Sequence, residues 1–222
     1  MNRELARGLL PLLCLALSSS AQAALIGPAV NNSFTSVDTA GERINLDESN
    51  PLVLGPGTYT ATLFTFFAAQ ASTKTTPFLA INAAAGTPNP AGDIDAFSII
   101  AAGSTIPTSP IPVNNIVQTV LFGGGAGATF TLTQTTKVFA GVASGSADGT
   151  DGNSMGFISG VQVDHNNPGA TQFTPTAGAS LPSFTNPNLG RIYAFNVTVD
   201  VPEPGALSLM ALASAAFLRR RR

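Results

Sequence analysis

The chain has 222 residues, 44% of them apolar and only 10% charged, with 22 glycines, 16 prolines, one cysteine and no tryptophan. Glycine and proline together stay below the roughly 25 to 30% that marks a chain too poor in core formers to fold, which excludes a collagen-like or wholly disordered polypeptide. The formal net charge of −2 conceals an asymmetry: six of the ten basic residues (Arg3, Arg7, Arg219, Arg220, Arg221 and Arg222) stand at the two ends. Between Ala24 and Asp200 only four basic residues, Arg43, Lys74, Lys137 and Arg191, face ten acidic ones. A net-acidic body of this kind offers no electrostatic footprint for nucleic acid, and none is expected as a partner.

Residues 1–23 have the plan of a secretory signal peptide. Arg3 and Arg7 form a basic leader, Gly8 to Leu17 is an apolar stretch rich in leucine, and Ala21-Gln22-Ala23 is a small-x-small site. Signal peptidase is therefore expected to cut between Ala23 and Ala24. The apolar stretch is about half of the ~20 residues that span a bilayer, which argues against a permanent anchor. Cys14 falls inside this segment behind the bulky Leu13, a poor context for lipidation, and its removal would leave a mature chain without cysteine. Disulfides are then not expected to hold the domain, although export would permit them.

From Ala24 to Asp200 short apolar and threonine-rich runs recur between turn signals: Leu52–Leu54, Gly57–Phe67, Phe78–Ala83, Ala96–Ala101, Ile116–Phe122, Thr129–Thr133, Val138–Ser144, Gly156–Val163 and Arg191–Val201. Such spacing predicts an all-β domain over residues 24–200, an antiparallel β-sandwich or jelly-roll-like fold. It would be flanked by an N-terminal signal helix and a C-terminal hydrophobic helix. Gly55-Pro56-Gly57 combines a fixed proline φ with glycine freedom and predicts a tight turn into the second run. That run, with apolar neighbours on both faces at its end, reads as a central core strand. In the last run Tyr193, Phe195, Val197 and Val199 alternate with Ala194, Asn196, Thr198 and Asp200, the period-two pattern of a half-buried strand.

The chemical motifs in this body are few. Gly123-Gly124-Gly125-Ala126-Gly127-Ala128 approaches a dinucleotide fingerprint, but the strand-like Thr129-Phe130-Thr131-Leu132 follows where a helix is required, so the glycines read as a hairpin. Asp148-Gly149-Thr150-Asp151-Gly152-Asn153 is the kind of acidic loop that can wrap Ca²⁺, with Asp148, Asp151 and Asn153 as candidate ligands. Its fifth position is Gly152 and its twelfth Ser159, so it fails the EF-hand pattern and reads first as a polar turn. Asp93 and Asp95 read as a solvated loop. His165, the single histidine, reads as a surface residue in a polar turn, and Ser154 lacks the flanking glycines of a nucleophile elbow. No enzyme is expected, and no cofactor apart from the weak calcium alternative.

The C-terminus is the most specific segment. Val201-Pro202-Glu203-Pro204-Gly205 leads into the apolar run Gly205 to Leu218, and Arg219-Arg220-Arg221-Arg222 closes the chain. Two prolines around Glu203 remove backbone donors and favour extended chain. Fourteen residues from Gly205 to Leu218 make about 21 Å of helix, against about 30 Å of hydrocarbon, so the run enters a membrane but anchors poorly. The arginines after it would remain on the cytoplasmic side and put the body outside.

These residues resemble the PEP-CTERM sorting signal of exported proteins in Gram-negative, exopolysaccharide-producing bacteria, with Pro202-Glu203-Pro204 as the motif, residues 205–218 as the helix and residues 219–222 as the basic tail. The resemblance, confined to residues 201–222, implies recognition by exosortase, a membrane-embedded cysteine peptidase, and delivery to the cell surface or the extracellular matrix of a biofilm. It implies nothing about the body. The expectation for the whole chain is a non-enzymatic exported protein that passes through a membrane-anchored precursor. A polysaccharide-binding module assisted by calcium is the alternative, and a secreted hydrolase a third reading. Tyr59 and Tyr193 are the only tyrosines and tryptophan is absent, so sugar-stacking residues are scarce.

Overall fold

A computed structural model describes residues 22–31, 36–38, 43–46, 52–68, 75–82, 97–106, 116–123, 125, 127–144, 155–165, 174–181 and 187–201. Among them are fourteen strands and no helix: β1 (Gln22–Ile26), β2 (Ser36–Asp38), β3 (Arg43–Leu46), β4 (Leu52–Leu54), β5 (Gly57–Ala68), β6 (Thr75–Asn82), β7 (Phe97–Ala102), β8 (Ile116–Leu121), β9 (Ala128–Leu132), β10 (Thr136–Ser144), β11 (Met155–His165), β12 (Ser180–Leu181), β13 (Pro187–Tyr193) and β14 (Phe195–Val201). The main path of neighbours is β1-β14-β5-β11-β3-β10-β6-β7-β12. Each ladder along it is antiparallel, as are those of the strands that branch from it. The fold is therefore all-β, as the sequence predicts. The two expected helices lie outside the described residues.

Strand β5 is central to one layer. β14 pairs along one of its edges, while β8 and β9 lie end to end along the other. Tyr59, Ala61, Phe64 and Phe66 of β5 turn inward beside Phe195, Val197 and Val199 of β14. They share one core with Leu54, Leu79, Ala101, Val138, Ala140 and Val142 of β4, β6, β7 and β10. Two groups of strands thus close on one apolar interior in a sandwich-like arrangement. Phe64 lies 5.1 Å from Phe66 and 6.2 Å from Phe195 between ring centroids, within the range of favourable aromatic pairs. A buried side chain of this size contributes about 1.5–3 kcal/mol through loss of water contact, so this aromatic file is a principal source of stability in a domain without disulfides.

The opposite layer is covered on both faces. Phe78, Ala80, Phe97, Ile99, Phe139 and Ala143 form a second buried cluster, with Phe97 and Phe139 edge to face at 5.7 Å. Continuous apolar runs such as Phe78-Leu79-Ala80 suit a strand buried on both sides, where alternation is not required. In β7 the register slips between the Leu79 and Ala80 positions of its partner, which lets Ala101 face the first core while Ile99 faces the second.

Several local expectations meet their structural counterparts. Gly55 and Pro56 link β4 to β5, and the Tyr59 hydroxyl donates to the Gly55 carbonyl at 2.8 Å, fastening the turn to the strand it enters. The link also changes partner, since β4 pairs with β10 while β5 pairs with β14. The glycine run after β8 is not a hairpin. β8 and β9 both run antiparallel to β5 and succeed one another along its edge, so the glycines make a detour within one interrupted edge strand. Gly127, at φ +72°, brings its backbone so close to β5 that a Cβ there would stand 2.7 Å from the Ala61 carbonyl oxygen. His165 is likewise not in a turn: it is the last residue of β11, opposite Pro187. The polar residues after it gave a turn signal that strand pairing overrides by one position.

Candidate functional site

The site with a stated chemistry is the sorting segment, and the fold determines how it leaves the domain. β14 is made of alternating residues whose inward members, Phe195, Val197 and Val199, are fully buried. Its outward members Thr198 and Asp200 are partly exposed. Asn196 also faces outward but is 3% exposed, because Pro28 lies over it and accepts a 2.7 Å hydrogen bond from its Nδ2. Gly27, at φ +108°, makes the bend that carries the chain from β1 to Pro28. A Cβ on Gly27 would come within 2.8 Å of the Phe195 carbonyl oxygen. β14 thus emerges from the core as a firmly held strand whose last residue is Val201.

β1 covers the other edge of β14 in the register Gln22↔Val201, Ala23↔Asp200, Ala24↔Val199, Leu25↔Thr198 and Ile26↔Val197. The bond expected to be cut by signal peptidase, Ala23–Ala24, therefore lies inside a ladder and beside the beginning of the sorting segment. The ladder between β14 and β5 ends at Asp200↔Thr60, so Val201 is paired by β1 alone among the described strands. Ile26 is buried, whereas Leu25 is 46% exposed on the outer side. Sequence reasoning treated residues 22 and 23 as part of a removable leader and missed their pairing. The short apolar stretch Ala23-Ala24-Leu25-Ile26 was the available signal.

Of the other residues singled out by sequence, Ala21, Pro202, Glu203, Pro204, Gly205 and Arg219, Arg220, Arg221, Arg222 lie outside the described residues. So do Asp93, Asp95, Asp148, Asp151, Asn153 and Ser154. Asp164 and His165 are the last two residues of β11, in register with Asn188 and Pro187 of β13. Among the described residues no group of three or more histidine, cysteine, aspartate or glutamate side chains is placed to hold a metal ion.

A second feature occupies the outer face of the β5 layer. Thr58 and Thr131 hydroxyls lie 3.1 Å apart, Thr60 and Thr129 3.4 Å, and Thr65 and Thr119 3.0 Å, each pair crossing between β5 and its edge strands. Between these rows Leu121 is 55% exposed opposite Leu63. Asp200 is the one charged residue on β1, β14, β5, β8 and β9. The face is a low-charge surface of hydroxyls and methyls, and the aromatic side chains whose burial is described are all buried.

Comparison with known families finds the PEP-CTERM protein-sorting motif at residues 200–222. The match begins one residue before Val201, at Asp200, within β14. Such a motif implies an exported protein sorted by exosortase to the cell surface. Neither curated proteins nor solved structures give a match to the chain.

Proposed function

We propose that the chain is a non-enzymatic β-sandwich protein, exported with a cleavable signal peptide and released by exosortase from a membrane-anchored precursor into the cell surface or extracellular matrix. The observation that carries this reading is the match at residues 200–222, which begins on the last two residues of a held terminal strand. Pro202, Glu203 and Pro204 are the motif, the run to Leu218 enters the membrane, and Arg219 to Arg222 remain inside. Signal peptidase removes residues 1–23. The domain of residues 24–200 is the delivered cargo, and its compact all-β core suits life without disulfides.

Replacing Pro202, Glu203 and Pro204 together by alanine tests the reading. Export should continue, while the protein stays in the membrane fraction with its tail intact. Unchanged release of that variant contradicts it.

A second reading, a polysaccharide-binding module, is favoured by the threonine face of β5, β8 and β9, whose low charge and regular hydroxyls suit a neutral hydrated polymer. The burial of every aromatic side chain whose exposure is described weighs against it. Retention of the purified domain on exopolysaccharide, lost on introducing charge into the face, is its test.

A further inference from the structure

Among the described strands β8 pairs with β5 alone, so its other edge is open there. Two hydrogen bonds fix which backbone groups that edge presents. The Phe122 N–H donates to the Thr62 carbonyl at 2.9 Å, and on the far side of β5 the Phe67 N–H donates to the Ala194 carbonyl at 2.9 Å. Successive residues of a strand aim their N–H and C=O groups in opposite directions, so Phe64 and Phe66 of β5 bond toward Val120 and Gln118 of β8. The N–H and C=O groups of Val117, Thr119 and Leu121 therefore point away from β5, along the open edge. Native sheets commonly blunt such an edge with charge, proline or a bulge. β8 has none of these: its ladder with β5 runs without a register shift, it contains no proline, and residues 96–136 include no charged residue. Leu121 and Ile116 are 55% and 47% exposed, and Thr119 is exposed beside Thr65. β9, which continues the same edge, differs in lying beside β7 of the opposite layer.

We infer that the open edge of β8 is a self-association site, at which β8 of a second copy of this chain adds antiparallel about a twofold axis between the two Thr119 residues. The register follows from the edge itself. Val117, Thr119 and Leu121 are spaced symmetrically about Thr119, so the same three residues serve both strands. Thr119 pairs with Thr119 of the second copy and Val117 with Leu121, each pair exchanging N–H and C=O groups. Pairing odd with odd positions also keeps each face of the sheet continuous across the junction. On the outer face the Thr65–Thr119 pair continues into the same pair of the second copy, and Leu121 covers Val117 across the axis. A twofold contact sets one patch against itself, so a charge beside the axis would meet its own like. The charge-free edge removes that repulsion for a second copy, whereas recognition of a charged partner would draw on charges that β8 lacks. The inference goes beyond delivery to the surface and depends on neither the signal nor the sorting step.

The test uses the protein as it is purified from the cells that make it, examined by analytical ultracentrifugation and native mass spectrometry. Wild type should sediment with twice the mass of one chain. Thr119→Pro removes an N–H that the β5 ladder does not use, so it should give a monomer whose melting temperature stays near that of wild type. Thr119→Arg and Thr119→Glu each place like charges opposite one another and should raise the dissociation constant about fivefold. Mixing these two chains should restore association as a dimer of one arginine and one glutamate chain, distinguished by mass. The charged pair decides the matter where the proline chain fails to fold. A monomeric wild type overturns the inference. A dimer that survives Thr119→Pro also overturns it by placing the interface elsewhere, as does a mixture in which the mixed dimer does not exceed its statistical share.

Discussion

Val201 pairs with Gln22 on β1, while the β5 ladder stops one residue earlier, where Asp200 faces Thr60. The final residue before the sorting motif is thus held by the first residues of the described chain. This register sets the first and last described residues side by side at one edge of the layer.

The register can be checked by cross-linking. Leu25 and Thr198 are direct partners on the outer side, and antiparallel partners fall within the Cα separation that a disulfide bridges. A chain with Leu25→Cys and Thr198→Cys should form an intramolecular disulfide after export, seen as a mobility shift on a non-reducing gel. A chain with Leu25→Cys and Asp200→Cys, displaced by two residues, should form much less. Equal cross-linking of both pairs would contradict the register.

Core packing gives a second expectation. Phe64 is fully buried between Phe66 and Phe195. Phe64→Ala should cost about 3–5 kcal/mol in chemical denaturation of residues 24–200. Thr58→Ala, on the exposed face, should stay within about 0.5 kcal/mol. A small effect of the phenylalanine change would remove Phe64 from the core.

The turn after β1 makes a third. Gly27→Ala should lower the melting temperature, because the backbone has φ +108° and the new Cβ meets the Phe195 carbonyl. Gly55→Ala meets nothing within 4 Å and should change it little. A neutral Gly27→Ala would show that the bend over β14 can relax.

Much of this fold is visible in the sequence because burial imposes periodicity on it. The alternation of Phe195 to Asp200 predicts the inward set of β14, although the run expected from Arg191 to Val201 is broken at Ala194 between β13 and β14, and β4 ends and β5 begins where Gly55-Pro56-Gly57 places the turn. Short strands whose partners are distant leave no such pattern: β2 and β3 each pair with β11, far along the chain, and β12 has two residues. The detour at Gly123 to Gly127 looked like a hairpin because glycine marks a bend without saying which strand the chain rejoins. For the site, the sorting segment was legible from its three ordered parts. The pairing of Gln22 and Ala23 with Val201 and Asp200 was not, since it depends on register with a strand far along the chain.

Calcium offers a further check on the cargo domain. The Asp148 to Asn153 loop is expected to be a polar turn, so millimolar Ca²⁺ should leave the melting temperature unchanged. Stabilisation approaching about 2.7 kcal/mol, as a bound ion gives at a hundredfold excess over its dissociation constant, would contradict that expectation.

The central claim is sorting by removal of the tail, and the C-terminus of the released wild-type protein reports on it directly. Intact mass spectrometry of protein recovered outside the cell should show a chain that starts at Ala24, ends between Val201 and Pro204, and lacks Arg219 to Arg222. Released protein that still carries Arg222 would contradict exosortase processing of this chain.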